Sequence, residues 1–132
     1  MQNYGSIWKE IDLIIESGRL VSHALSHSLE NVKAGITEME IDQFGNKALL
    51  EETSTKHPNA TLDFFAMSPS GLERSVMPHA FSHTRKLEEN DIVVHSRQVG
   101  LNGYRAECER TLNHQTNKKM LSRPPMKPSL PL

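Results

Sequence analysis

From Ile7 to Val32 the apolar residues Ile7, Ile11, Ile14, Ile15, Val21, Leu25, Leu29 and Val32 fall three and four apart. That spacing is the helical period, and it predicts one long amphipathic helix whose apolar stripe must lie against a second layer. Gly18 is its weak point, since glycine costs about 1 kcal/mol relative to alanine inside a helix. Lys33-Ala34-Gly35 ends the segment, with Gly35 suited to the left-handed position that follows helices. A second helix then begins with clear chemistry: Thr37 is a good N-cap and Glu40, three residues on, completes a capping box. Ile36 and Ile41 occupy the positions of a hydrophobic staple, and Ile41, Phe44, Ala48 and Leu49 are read as the buried stripe of a helix running to about Thr53.

Beyond the polar connection Ser54–Asn59 the period changes. Thr61–Met67 is rich in β-branched and aromatic residues between turn signals and predicts a strand, which Ser68-Pro69-Ser70-Gly71 breaks. Leu72–Glu89 has no sustained period and is read as an irregular loop carrying Pro78-His79. Asn90-Asp91 is a turn, Ile92-Val93-Val94-His95 starts a second strand, and Gly100-Leu101-Asn102-Gly103 leads into a return strand over Tyr104–Leu112. The order helix, helix, strand, loop, strand, strand predicts an α+β fold with two long helices packed on a mainly antiparallel sheet.

At 132 residues there is room for one domain, and a hydrophobic content of 36% implies a modest core. We place the domain at 1–112. The remainder, 113–132, holds four of the seven prolines and the basic residues Lys118, Lys119, Arg123 and Lys127 with no acid, and is expected to be a disordered tail. That segment carries a charge of +4 and leaves −5 on the body. The single cysteine, Cys108, cannot form an internal disulfide and is expected to face the packed side of the sheet. No signal peptide or membrane span is readable, so a cytoplasmic protein is expected, with no membrane or nucleic-acid partner. His23 and His27 stand four apart, but without a metalloprotease-type acidic neighbour they are read as a solvated helix face.

The polar groups concentrate between residues 78 and 111. Pro78-His79, the turn Asn90-Asp91 leading into Ile92-Val93-Val94, then Asn102-Gly103-Tyr104 and Glu109-Arg110-Thr111, with Gly35-Ile36-Thr37-Glu38-Met39-Glu40-Ile41 upstream, resemble the first half of the pita-bread fold of methionine aminopeptidase, Xaa-Pro aminopeptidase, prolidase and creatinase. The resemblance covers roughly residues 7 to 112. It implies an active site between two pseudo-symmetric halves, of which this chain supplies one. An exposed apolar surface, and self-association through it, are therefore expected.

In the metal-dependent members two aspartates eleven residues apart begin the ligand set, and they fall here at Ser96 and Glu107. A neutral hydroxyl neither balances dication charge nor bridges two metals, so no metal and no other cofactor are expected. The resemblance is nearer to the metal-free creatinase branch. It implies His79 as the proton-transferring residue and Glu109, followed by Arg110, as the group that contacts a cationic small-molecule substrate. The implied reaction is cleavage of a C–N bond in a small amidino or amide compound. An Xaa-Pro peptidase relative and a non-catalytic interaction module remain the alternatives. Glu109 could instead join Arg110, Arg105 or Arg97 in an ion-pair network, and His83 and His95 are read as local hydrogen-bonding residues.

Overall fold

A computed structural model describes residues 4–113; the expected tail beyond Asn113 lies outside them. Helix α1 spans Tyr4–Glu30 and α2 Glu38–Lys56. They are followed by β1, Leu62–Met67, a single-turn α3, Gly71–Arg74, and the long strands β2, Ile92–Leu101, and β3, Tyr104–Asn113. The three strands form one antiparallel sheet in the order β1-β2-β3. Both long helices lie on one face of it, the α+β arrangement expected from the sequence.

Local chemistry fixes the joints. Thr37 Oγ1 accepts from the Glu40 amide at 3.0 Å, and the Thr37 amide donates to Glu40 Oε1 at 3.2 Å, so both halves of the capping box are made. Ile36 and Ile41 are both buried beside it. The β2–β3 hairpin turns on Asn102 (φ 50°) and Gly103 (φ 86°), the pair of positive φ values that a type I′ turn requires. Asn102 also receives the start of β1, since its Oδ1 accepts from the Thr61 amide at 2.9 Å. Gly35 has φ 94°, but it lies in the turn after α1, where its amide donates to the Leu87 carbonyl.

Alternation along β2 sends Val93, His95, Arg97, Val99 and Leu101 toward the helices, all at most 1% exposed. Two apolar clusters result. Leu20, Val21, Ala24 and Leu49 pack on Val99 and Leu101, with half-buried Cys108 against them. Val32, Ile36, Ile41 and Leu87 pack on Val93 and Leu112. His95 and Arg97 lie on the strand between these clusters, so the centre of the helix–sheet interface is polar.

Two expectations about helix faces are corrected in part. Of the predicted α1 stripe Val21, Leu25 and Val32 are buried, but Ile11, Ile14 and Ile15 are exposed on another side with Trp8, and the buried side is completed by Leu13, Ser17, Leu20, Ala24 and Ser28. Small serines were not counted in an apolar stripe, yet Ser17 Oγ donates to the Tyr104 carbonyl at 2.6 Å and Ser28 Oγ to that of Ile41 at 2.6 Å. Gly18 does not interrupt the helix. On α2, Phe44 is 38% exposed and Gly45 is buried in its place, because a Cβ at Gly45 would overlap the Arg97 guanidinium and Ser28 Oγ.

Candidate functional site

The face of the sheet away from the helices is open. Opposite residues share a face, so the pairings Ser96↔Glu109, Gln98↔Glu107 and Met67↔Ser96 place Met67, Val94, Ser96, Gln98, Glu107, Glu109 and Thr111 together on it. Over one end of this face stands the loop from Ser75 to Ala80. Loop and sheet enclose a cleft of about 260 Å³ lined by Met67, Pro69, Pro78, His79, Val94, Ser96 and Glu109 among others. His79 is exposed, with φ 53°, a left-handed conformation that few non-glycine residues adopt.

The structure therefore brings His79, Ser96 and Glu109 to one cleft. Glu107 is diagonal to Ser96 on the same face but outside the cleft lining. Arg110, opposite His95, is on the other side of the sheet, exposed, and its Nη1 donates to the Glu109 carbonyl at 2.7 Å. The ion-pair alternative for Glu109 is not what forms. Arg105 pairs with Asp63 at 2.7 Å across Gly100, Arg97 is buried on the helix side, and among the described residues no arginine bonds the Glu109 carboxylate.

What ties the loop is a residue whose sequence signal is only that of a helix opening. Glu38, the first residue of α2, is fully buried. Its Oε2 accepts from the Ser70 amide (2.9 Å), Ser70 Oγ (2.6 Å) and Arg74 Nε (3.0 Å). Its Oε1 accepts from Arg74 Nη2 (2.8 Å) and the His83 amide (2.9 Å). Burial alone would raise this carboxyl, but the bonds from Arg74, Ser70 and His83 outweigh it and hold Glu38 below the usual carboxylate range. Arg85 adds a further tie, with Nη1 donating to Ser70 Oγ at 2.8 Å and Asp91 Oδ2 at 2.7 Å.

Beneath the sheet runs a second polar array. Arg97 Nε donates to His95 Nε2 at 2.9 Å, Nη1 to Asn46 Oδ1 at 2.8 Å, and Nη2 to Ser28 Oγ at 3.0 Å and the Asp42 carbonyl at 2.6 Å. Because a guanidinium only donates, His95 Nε2 must accept, so its proton sits on Nδ1. That proton faces Ser68 Oγ at 2.7 Å, and Ser68 in turn donates to Asp42 Oδ1 at 2.6 Å. Burial, then the Arg97 charge, pushes the His95 imidazole down to about 3, so it is neutral. Burial likewise lowers Arg97 to about 10 and raises Asp42. His95 is thus a core residue bridging strand and helix. Strand alternation could have flagged His95 and Arg97 as facing the same side as Val93 and Val99; their partners on α1 and α2 have no local signal.

A two-metal centre does not fit the described residues. Ser96 offers a neutral hydroxyl opposite Glu109, and Asp63 is committed to Arg105. Among the described residues no group of three His, Cys, Asp or Glu side chains is placed to hold a metal ion. His23 and His27 touch edge to face at 4.6 Å, with His23 near Glu52 at 3.8 Å. No helix among these residues is long and apolar enough to cross a membrane.

Two helices on one face of a three-stranded antiparallel sheet, with a histidine-bearing loop over its other face, define one half of a pita-bread domain. The chain belongs to metallopeptidase family M24, whose sequence model matches residues 12–122, ten residues past Leu112. It is 35% identical over 107 residues to a methionine aminopeptidase of Clostridium perfringens (strain 13 / Type A), covering 77% of this chain and 41% of that protein. It is 30% identical over 105 residues to a creatinase of Bacillus sp. (strain B-0618), covering 79% and 25%. Among solved structures it is similar to an X-Pro aminopeptidase from Thermotoga maritima MSB8, with TM-score 0.67, 23% identity and coverage of 85% of this chain and 29% of that one. It is also similar to a prolidase from Pyrococcus furiosus, with TM-score 0.68, 23% identity and coverage of 79% and 31%. The chain spans between a quarter and about two fifths of these relatives' lengths.

Proposed function

We propose that the cleft between the 75–80 loop and the open sheet face is one half of a metal-independent, creatinase-like hydrolytic site for a small amidino or amide compound. The observation that carries this reading is the convergence of His79 and Glu109 on one cleft, with the neutral Ser96 paired opposite Glu109. Glu109 presents a carboxylate free of arginine partners to a planar cation, where charge-assisted, two-point hydrogen bonding fixes orientation. His79 stands across the cleft, where an imidazole can pass a proton from an attacking water to the leaving nitrogen as the water oxygen bonds to the carbon and the C–N bond breaks. Met67, Val94 and Pro78 supply apolar walls. The described residues alone supply recognition; turnover belongs to a complete site with a facing wall.

Creatine, a small guanidino compound, is the direct probe. Titrated into the chain and followed by calorimetry, it should bind saturably, and Glu109→Gln should weaken that binding about 10- to 100-fold, the worth of a hydrogen bond to a charged group. Equal affinity in the variant would remove Glu109 from the account. A peptidase reading draws on the methionine aminopeptidase likeness. It requires that manganese raise the chain's melting temperature and hydrolysis of a proline dipeptide, and Ser96 argues against both.

A further inference from the structure

Residues 70 to 83 form a closed excursion. The foot at Ser70 bridges to Val93, and the Pro69 carbonyl before it accepts from the Val94 amide at 3.0 Å. At the other foot, the Met39 amide donates to the His83 carbonyl at 3.2 Å and the Glu38 amide to the Arg85 carbonyl at 3.1 Å. Between the feet Leu72, Val76 and Met77 are exposed, while Phe81 sets its ring edge-on to Phe65 at 5.7 Å and Ala80 is buried.

Besides the bond from the Ser68 amide to Ser82 Oγ at 2.8 Å, the Glu38 carboxylate ties the excursion. It takes the amides of both feet, Ser70 and His83, thirteen residues apart in the chain. Through Arg74 it also reaches the middle, since Arg74 Nη2 donates both to Glu38 Oε1 and to the Phe81 carbonyl at 2.7 Å. The residues lining the cleft, Ser75 to Ala80, run between Arg74 and Phe81, so both ends of that stretch refer to one buried group.

We propose that Glu38 is the positioning residue of the cleft: one buried carboxylate closes the loop from Ser70 to His83 and so sets where His79 stands over the sheet face that carries Glu109. The significance of that placement rests on the cleft reading given above. Glu38 does not touch the substrate. It acts through Arg74 and the two amides, and a neutral amide in its place turns N–H groups toward donors and leaves at least one unpaired.

The test is Glu38→Gln, followed by amide hydrogen exchange and by the His79 imidazole NMR signal, assigned by its loss in His79→Ala. Exchange at Ser70 and His83 should accelerate at least about 10-fold, with the β2–β3 ladder unchanged, and the His79 signal should shift. Creatine, as the probe, should bind about 3- to 10-fold more weakly but still depend on Glu109. Accelerated exchange with an unmoved His79 signal and unchanged affinity overturns the proposal, as does unchanged exchange. If the wild-type chain does not bind creatine, the cleft reading fails, yet exchange and the His79 signal still decide the role of Glu38. Should Glu38→Gln not fold, Arg74→Ala severs the tie to Phe81 and must displace the His79 signal; an unmoved signal there overturns the proposal equally.

Discussion

Gly45→Ala should destabilise the chain, against the direction that helix propensity gives. In an exposed helix interior the change would gain about 1 kcal/mol. Here the new methyl overlaps Arg97 Nη2 and Cζ and Ser28 Oγ, and Arg97, 1% exposed and held by four hydrogen bonds, has nowhere to retreat. Moving the guanidinium breaks its bonds to Ser28 Oγ and the Asp42 carbonyl. Hydrogen bonds to a charged group are worth about 1.5–3 kcal/mol each, and overpacking adds about 1–3. After subtracting the propensity gain, a loss of at least about 3 kcal/mol is expected, a large share of the 5–15 kcal/mol typical of a domain. Urea denaturation gives the difference directly. In an Arg97→Leu background only the overlap with Ser28 Oγ remains, so the same substitution should cost less and the double-mutant cycle should show coupling. A Gly45→Ala chain as stable as the wild type would refute the claim that Arg97 is wedged against this glycine.

Stability should also fall early in acid. His95 is neutral in the folded chain with its imidazole at about 3, against about 6.5 unfolded, so only the unfolded chain takes up the proton between those values. That stability is present above pH about 6.5 and lost toward pH 3, at up to about 1.4 kcal/mol per pH unit. Asp42, raised by burial, acts in the opposite sense just above pH 3.8, and Glu38, held low, adds to the loss below about 4.5. A urea midpoint that stays level from pH 7 to 5 would contradict a buried neutral His95. Thr37→Ala removes one half of the capping box and should cost about 1 kcal/mol in the same assay; no change would mean that α2 does not depend on it. Ser96→Asp adds a carboxylate facing Glu109 and diagonal to Glu107, and should make the chain's melting temperature rise with manganese. No such rise would remove Ser96 as the change that disables metal binding.

Where a sequence signal is local, it was legible. Thr37 and Glu40 act within one helical turn, and Asn102-Gly103 meets its turn geometry from its own two residues. The resemblance in motif order named His79 and Glu109, which share the open-face cleft, and Arg110, which faces the other side of the sheet because adjacent strand residues point oppositely. What escaped depends on partners far apart in the chain. Glu38 meets Arg74 36 residues on, and Arg97 meets Ser28 across 69. Of the α1 stripe Val21, Leu25 and Val32 do pack, but Ile11, Ile14 and Ile15 do not, because the packed face uses Ser17 and Ser28, whose hydroxyls answer carbonyls of β3 and α2.

Creatine titration with and without a chelator tests the central claim, that this cleft recognises a planar cation by Glu109 with no metal. One saturable site is expected, with the same affinity in EDTA and in manganese and about 10- to 100-fold weaker in Glu109→Gln. Absence of binding in EDTA with its appearance on adding manganese would contradict it.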